Sequence, residues 1–173
     1  PEANDVMKKD MKEFCSLLYG IDSEIEGIVV DTSIYTKQEN LKLEKTIFFG
    51  DADYYNFFLA LVVKSGEFDI NLLMGHYFFL GNEKIFANHF SNVIDEEEYV
   101  ETIKDSKYLL TASLQTALES LACGNKPVLF KREDKIYDEK LIEKLNLPVI
   151  EANDLKDLLE EFDTSINEYP IIS

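Results

Sequence analysis

Apolar residues in this chain fall into short runs, separated by stretches with a three-to-four-residue beat. The runs are IVV (28–30), TIFFG (46–50), FDINLLMG (68–75), EKIFANHF (83–90), KYLLTA (107–112), KPVLFK (126–131) and LPVIE (147–151). Short runs without alternation are what strands buried on both faces leave in a sequence, so they predict a parallel sheet covered on each side. Between them the beat is helical. In 4–19, Met7, Met11, Phe14 and Leu18 form one stripe closed by Gly20. In 53–66, Asp53 is a plausible N-cap, Phe57, Leu61 and Lys64 follow one face, and Gly66 ends it. The stretch 95–106 opens with Asp95 and carries Glu98 three residues later, a capping-box spacing. Further helices are predicted over 114–124, 137–146 and 153–163, while 35–45 is polar and reads as a short helix or an exposed connection.

Strands alternating with helices of about ten residues predict βαβ units. The expected fold is α/β: a Rossmann-like, doubly wound, mainly parallel sheet with helices on both faces in a single domain. Residues 46–173 form that domain, and 1–45 are an N-terminal extension of one helix and a short strand. The first helix must bury its stripe somewhere, against the outer helices or against a second copy of the chain or a partner catalytic domain.

In such sheets ligands bind beyond the carboxyl ends of the strands, where the strand order switches. The turns at 50–53, 74–77 and 111–116 should therefore share one rim. In the first, GDAD, Gly50 lets backbone approach a ligand, and the helix beyond it offers free N–H groups. Asp51 and Asp53 can hold Mg²⁺ or sugar hydroxyls there, or serve only as first-turn acids. In TASLQTALE (111–119), Ser113 can cap the helix, with Gln115 and Thr116 in its first turn beside free amides that suit a phosphate. Glu119 lies on the face of Thr116 and would reach ribose hydroxyls; the alternative is a capped helix with an exposed Glu. His76 follows a strand and can face the rim, whereas His89 sits within an apolar strand pattern and reads as structural.

Charge narrows the partners. With 34 acidic and 17 basic residues the net charge is −17, a field that repels nucleic-acid backbones and anionic lipid surfaces. A small anion at one helix end remains compatible with it. Cys15 and Cys123 are too few for a disulfide framework and read as reduced, buried thiols. No apolar run approaches the roughly 20 residues of a membrane span, and no secretory h-region is present, so a cytoplasmic location without membrane insertion is expected. HExxH, CxxC, GxSxG, GxGxxG and the P-loop pattern are all absent.

From about Thr46 to Phe162 the order of pieces resembles the C-terminal half of GT-B enzymes. It is most similar to nucleotide-sugar hydrolases of bacterial sialic-acid-like (pseudaminic acid) sugar synthesis and to MurG-type glycosyltransferases. TIFFGDAD with its helix, INLLMG, and the long stretch SNVIDEEEYVETIKDSKYLLTASLQTALESLACGNKPVLF carry the likeness, with Ser113, Thr116, Glu119, Gly124 and Pro127 on the family's pattern. The resemblance implies a UDP- or CMP-type nucleotide sugar as ligand, in surface-polysaccharide or flagellin-sugar synthesis. Ser113 and Thr116 would meet the diphosphate, Glu119 the ribose, and backbone near Val93 and Ile94 a uracil, with Gly50, Asp51 and Gln115 as further candidates at the nucleotide and its phosphates. It calls for no cofactor and no metal, and it places the catalytic residues in another domain or subunit. Two readings compete: a non-catalytic Rossmann-like interaction module, and a stand-alone enzyme with a metal held by Asp51, Asp53 and His76.

Overall fold

The first strand, β1 (Leu43–Phe48), lies in the middle of the sheet with neighbours on both sides. β2 (Phe68–Leu73) and β3 (Phe90–Ile94) extend the sheet one way. β4 (Ser106–Thr111), β5 (Lys126–Phe130) and β6 (Val149–Ile150) extend it the other way. The order is β3-β2-β1-β4-β5-β6 and every pairing is parallel. This is the doubly wound, Rossmann-like arrangement, seen here in a computed structural model that describes residues 30–50, 66–75, 82–132, 135–151 and 154–169. The predicted helices over 4–19 and 53–66, Cys15, and the candidates Asp51, Asp53 and His76 lie outside those residues.

Alternation along each strand divides the core between two faces. One face carries Ile47, Phe49, Leu72, Leu110 and Phe130. It is covered by Phe86 of α1 (Asn82–Ala87) and by Leu155, Leu158 and Phe162 of α5 (Leu155–Asn167). The other face sends Phe48, Leu73 and Leu109 against Ile103 of α2 (Tyr99–Asp105), and Leu129 against α3 (Leu114–Ala122) and α4 (Glu139–Leu145). Val30 is buried in that second layer, and Tyr35 packs partly over it. Residues 36–42 are an irregular connection.

Polar side chains inside the sheet are paired, as burial requires. Asn71 Nδ2 donates to Lys45 O at 2.9 Å, and Asn92 Nδ2 donates to Asn71 Oδ1 at 2.7 Å, a chain of amides across β1, β2 and β3. Ser106 Oγ lies 2.8 Å from Thr46 Oγ1 and 2.6 Å from Thr102 O. Helix α3 ends in a Schellman motif: Asn125 N donates to Ser120 O and Gly124 N to Leu121 O, with Gly124 at φ 74°.

One predicted strand is corrected. EKIFANHF reads as extended, yet Asn82–Ala87 is helical and β3 begins only at Phe90. Phe86 and Phe90 are four apart and both buried, a helical spacing too brief to outweigh the apolar run. The strand proper, FSNVI, contains two exposed polar residues because it is the edge of the sheet. His89 accordingly sits in a turn, where its Nδ1 meets the Gly66 carbonyl. The acidic stretch 95–106 is a 3₁₀ turn, Glu96–Glu98, followed by α2. Asp95 does cap it, accepting from Glu97 N at 3.3 Å.

Candidate functional site

The strand order switches between β1 and β4. These two run side by side in parallel, with Phe48 opposite Thr111, and Ala112 N donates to Phe48 O at 3.3 Å near their carboxyl ends. Beyond it the chains part. β1 continues through Phe49 into Gly50, whose φ of 130° suits only glycine. β4 turns at Ser113 into α3 on the opposite face. All six strands among the described residues are parallel, so the Gly50, Met74–Gly75 and 111–116 turns share the carboxyl rim.

Ser113 is the N-cap of α3, in extended backbone, and its Oγ accepts from Thr116 N at 3.3 Å. Its own N–H donates to Thr111 Oγ1 at 3.1 Å, which braces the turn from behind. Gln115, Thr116 and Glu119 then rise on one side of the helix, facing the start of α2. There Tyr99 waits, its ring edge-on to Phe48 at 5.3 Å. Tyr99 Oη lies 2.7 Å from Thr116 Oγ1 and donates to Glu119 Oε2 at 3.1 Å. Gln115 Nε2 donates to Glu119 Oε1 at 3.2 Å. Glu119 is only 5% exposed.

Electrostatics act on the phenols of that cluster. Burial, and after it the Glu119 carboxylate, drives the Tyr99 phenol far above the usual tyrosine range, and the same two causes act in the same order on Tyr35. Both phenols therefore stay protonated and remain donors. Glu119 is thus a buried acceptor ringed by donors from α2, from α3 and from the 30–42 segment, not an exposed one. Nearby Cys123, buried and without a disulfide, has its thiol pushed up to about 11, chiefly by burial.

Val93 and Ile94 end β3 on the same rim, but three strand spacings from β4, about 14 Å along the sheet. Val93 packs on the face of α1 and α5, and Ile94 packs beside Tyr99 on the other. The rim thus holds Gly50 and the Ser113 turn side by side and keeps Val93 and Ile94 at its far end.

Three residues absent from the sequence reading converge at the switch. Arg132 is 5% exposed and lies over the Phe49 ring, Cζ 4.8 Å from its centroid. Lys135 reaches the same turn. Tyr137 Oη accepts from Arg132 N at 3.0 Å and donates to Ala112 O at 2.7 Å, tying the exits of β5 and β4 together. The signal was present in KPVLFKREDKIYD: cations directly after a strand, in an acidic chain. Their destination needs the strand order.

A polar groove lies on the opposite rim, lined by Glu67, Asp69, His89 and Ser91. Within it Ser91 Oγ donates to Asp69 Oδ1 at 2.9 Å, and His89 Nδ1 meets the Gly66 carbonyl. Among the described residues no group of three or more His, Cys, Asp or Glu side chains could hold a metal ion, and no helix is long and apolar enough to cross a membrane. In comparisons with protein-family models, curated proteins and solved structures, no significant match to the chain appears.

Proposed function

We propose that the chain binds a nucleotide sugar of UDP or CMP type at the carboxyl rim between β1 and β4. In this reading it is the donor-binding part of a glycosyltransferase or nucleotide-sugar hydrolase that makes surface-polysaccharide or flagellin sugars. The observation that carries the reading is the strand order, whose switch point sets the Gly50 turn beside the Ser113-capped N-terminus of α3. Parallel doubly wound sheets take their ligands in that crevice. Backbone N–H groups at a helix start suit phosphate oxygens, and Gly50 permits close approach.

The geometry favours the phosphate part of the ligand over the ribose part. Thr116 and Glu119 are engaged by Tyr99 and Gln115, so a ribose hydroxyl would have to displace the Tyr99 phenol. That engagement also favours a second reading, a Rossmann-like interaction module whose Glu119 cluster is purely structural. Thermal shift followed by titration calorimetry with UDP, CMP, GDP and ADP separates the two. Micromolar binding of one pyrimidine nucleotide supports the donor-site reading. Failure of all four to bind leaves the interaction module.

A further inference from the structure

On one side the sheet ends at β3, which among the described residues has a strand neighbour, β2, on one flank only. The direction of its backbone groups follows from the ladder. Met74 N donates to Ile94 O, so Ile94 faces β2, and the register turns Asn92, two residues back, the same way. The Ser91 carbonyl and both backbone groups of Val93 therefore point outward. The side chains of Ser91 and Asn92 are exposed, and Val93 is half-buried.

Edge strands are commonly protected by lysines, other charges or proline, which keep a second chain from pairing. This one is not. FSNVI carries no charge and no proline, in a chain where 29% of residues are charged. Asn92 also has bonding capacity to spare. One proton of its Nδ2 goes to Asn71 Oδ1 at 2.7 Å, the last link of the amide chain that starts at Lys45 O. Its second Nδ2 proton and its Oδ1 have no partner among the described residues.

We infer that the β3 edge is a self-association surface, on which a second copy of the chain adds its own β3 antiparallel about a two-fold axis at Asn92. Such a contact is isologous and closes after two copies. In that register Ser91 of each copy faces Val93 of the other, which uses the backbone groups that point outward. Asn92 meets Asn92 of the second copy in the close, non-hydrogen-bonded pair, with Cβ atoms about 5 Å apart. Each amide can give its second proton to the other's Oδ1, so the amide chain runs on from one sheet into the next. Charge selects the same arrangement. Both copies are strongly acidic, and parallel pairing in register would set Asp95 beside Asp95. Antiparallel pairing sets the Asp95 end of one strand against the His89 end of the other. A standard interface takes about 20–30 residues a side. Five edge residues make a weak, concentration-dependent dimer, whatever the switch-point crevice binds.

The test is sedimentation velocity on the parent chain, V93P, N92K and N92D, with circular dichroism to confirm folding. The parent should shift from monomer to dimer as its concentration rises, and more readily in added salt, which screens the repulsion between two acidic chains. V93P removes an outward N–H and spares the β2 ladder. It should weaken the dimer about tenfold to a hundredfold, since each copy loses a bond. N92K or N92D alone sets like charges on the axis and should be monomeric, whereas an equimolar mixture of the two should dimerise. A parent that stays monomeric at its highest soluble concentration overturns the inference. So does a dimer that all three variants leave intact, which would assemble through another surface. An N92K and N92D mixture that stays monomeric also overturns it. If the Asn92 variants fail to fold, V93P decides alone, and if V93P fails to fold, the Asn92 variants decide.

Discussion

The two rims of the sheet use the same residue types to different ends. At the amino rim, Lys45 pairs with Asp163 at 3.0 Å, Lys107 approaches Glu44 at 4.0 Å, and Lys126 rests over the rings of Tyr108 and Tyr169. These are solvent-facing lysines on strand starts, in contacts that contribute little. At the carboxyl rim the cation is a buried arginine, braced by a tyrosine and aimed at a glycine turn, and the acid is a buried glutamate ringed by phenols and an amide. Charge at one rim follows from solubility. At the other it is organised, and organisation is what a binding site needs.

Substitutions can break that contrast. Removing the Glu119 carboxylate (Glu119→Ala) should have the largest effect, about 3 kcal/mol, because it strands buried donors without an acceptor. A urea unfolding midpoint identical to that of the parent would show that the carboxylate is dispensable to the fold. Alkaline pH should act on the same cluster. The Cys123 thiol has an ordinary value near 9.0 and a folded value of about 11, so the unfolded chain releases its proton first. The raised Tyr35 and Tyr99 phenols act in the same sense. Stability should therefore hold below about pH 9 and fall progressively as pH rises through 11, and Tyr35→Phe should blunt the fall. A flat denaturation midpoint across that range would contradict the buried cluster.

Smaller effects sharpen the contrast. Tyr137→Phe deletes the bridge between Ala112 O and Arg132 N and should cost about 1–2 kcal/mol. If Arg132 is held for a ligand, the same change should also loosen nucleotide binding. The mildest change is Lys45→Ala at the amino rim, with an expected loss of no more than about 0.5 kcal/mol. A loss as large as that of Tyr137→Phe would mean the two rims are equally organised.

Much of the fold was legible because local chemistry specified it. Buried runs such as TIFFG and KPVLF stand out against their surroundings, and the Ser113 cap follows from a rule that spans three residues. The α1–β3 region was not legible. Its helix is short, and its strand, at the sheet edge, carries Ser91 and Asn92 instead of an apolar run. At the rim, the sequence pointed to Gly50 and to the 111–116 turn, whose positions depend only on strand direction. Tyr99 arrives from α2, and Arg132, Lys135 and Tyr137 from the connection after β5, and their meeting depends on a strand order that no local pattern encodes. The same holds for Glu119: spacing assigns it to the face of Thr116, but only the placement of α2 puts Tyr99 there.

The central pairing has a consequence for how the chain is made. Thr46 and Ser106 touch across β1 and β4, yet they are 60 positions apart in sequence. During synthesis β1 can acquire β2 and β3 early, while its other side stays open until β4 has left the ribosome. For that interval the middle strand of the finished protein is an edge strand, carrying Ile47, Phe48 and a row of unpaired backbone groups. Such edges recruit other chains. A nascent polypeptide stalled before residue 106 should therefore depend on chaperones far more than one released after Thr111, and the interval is set by topology, whatever the finished protein binds.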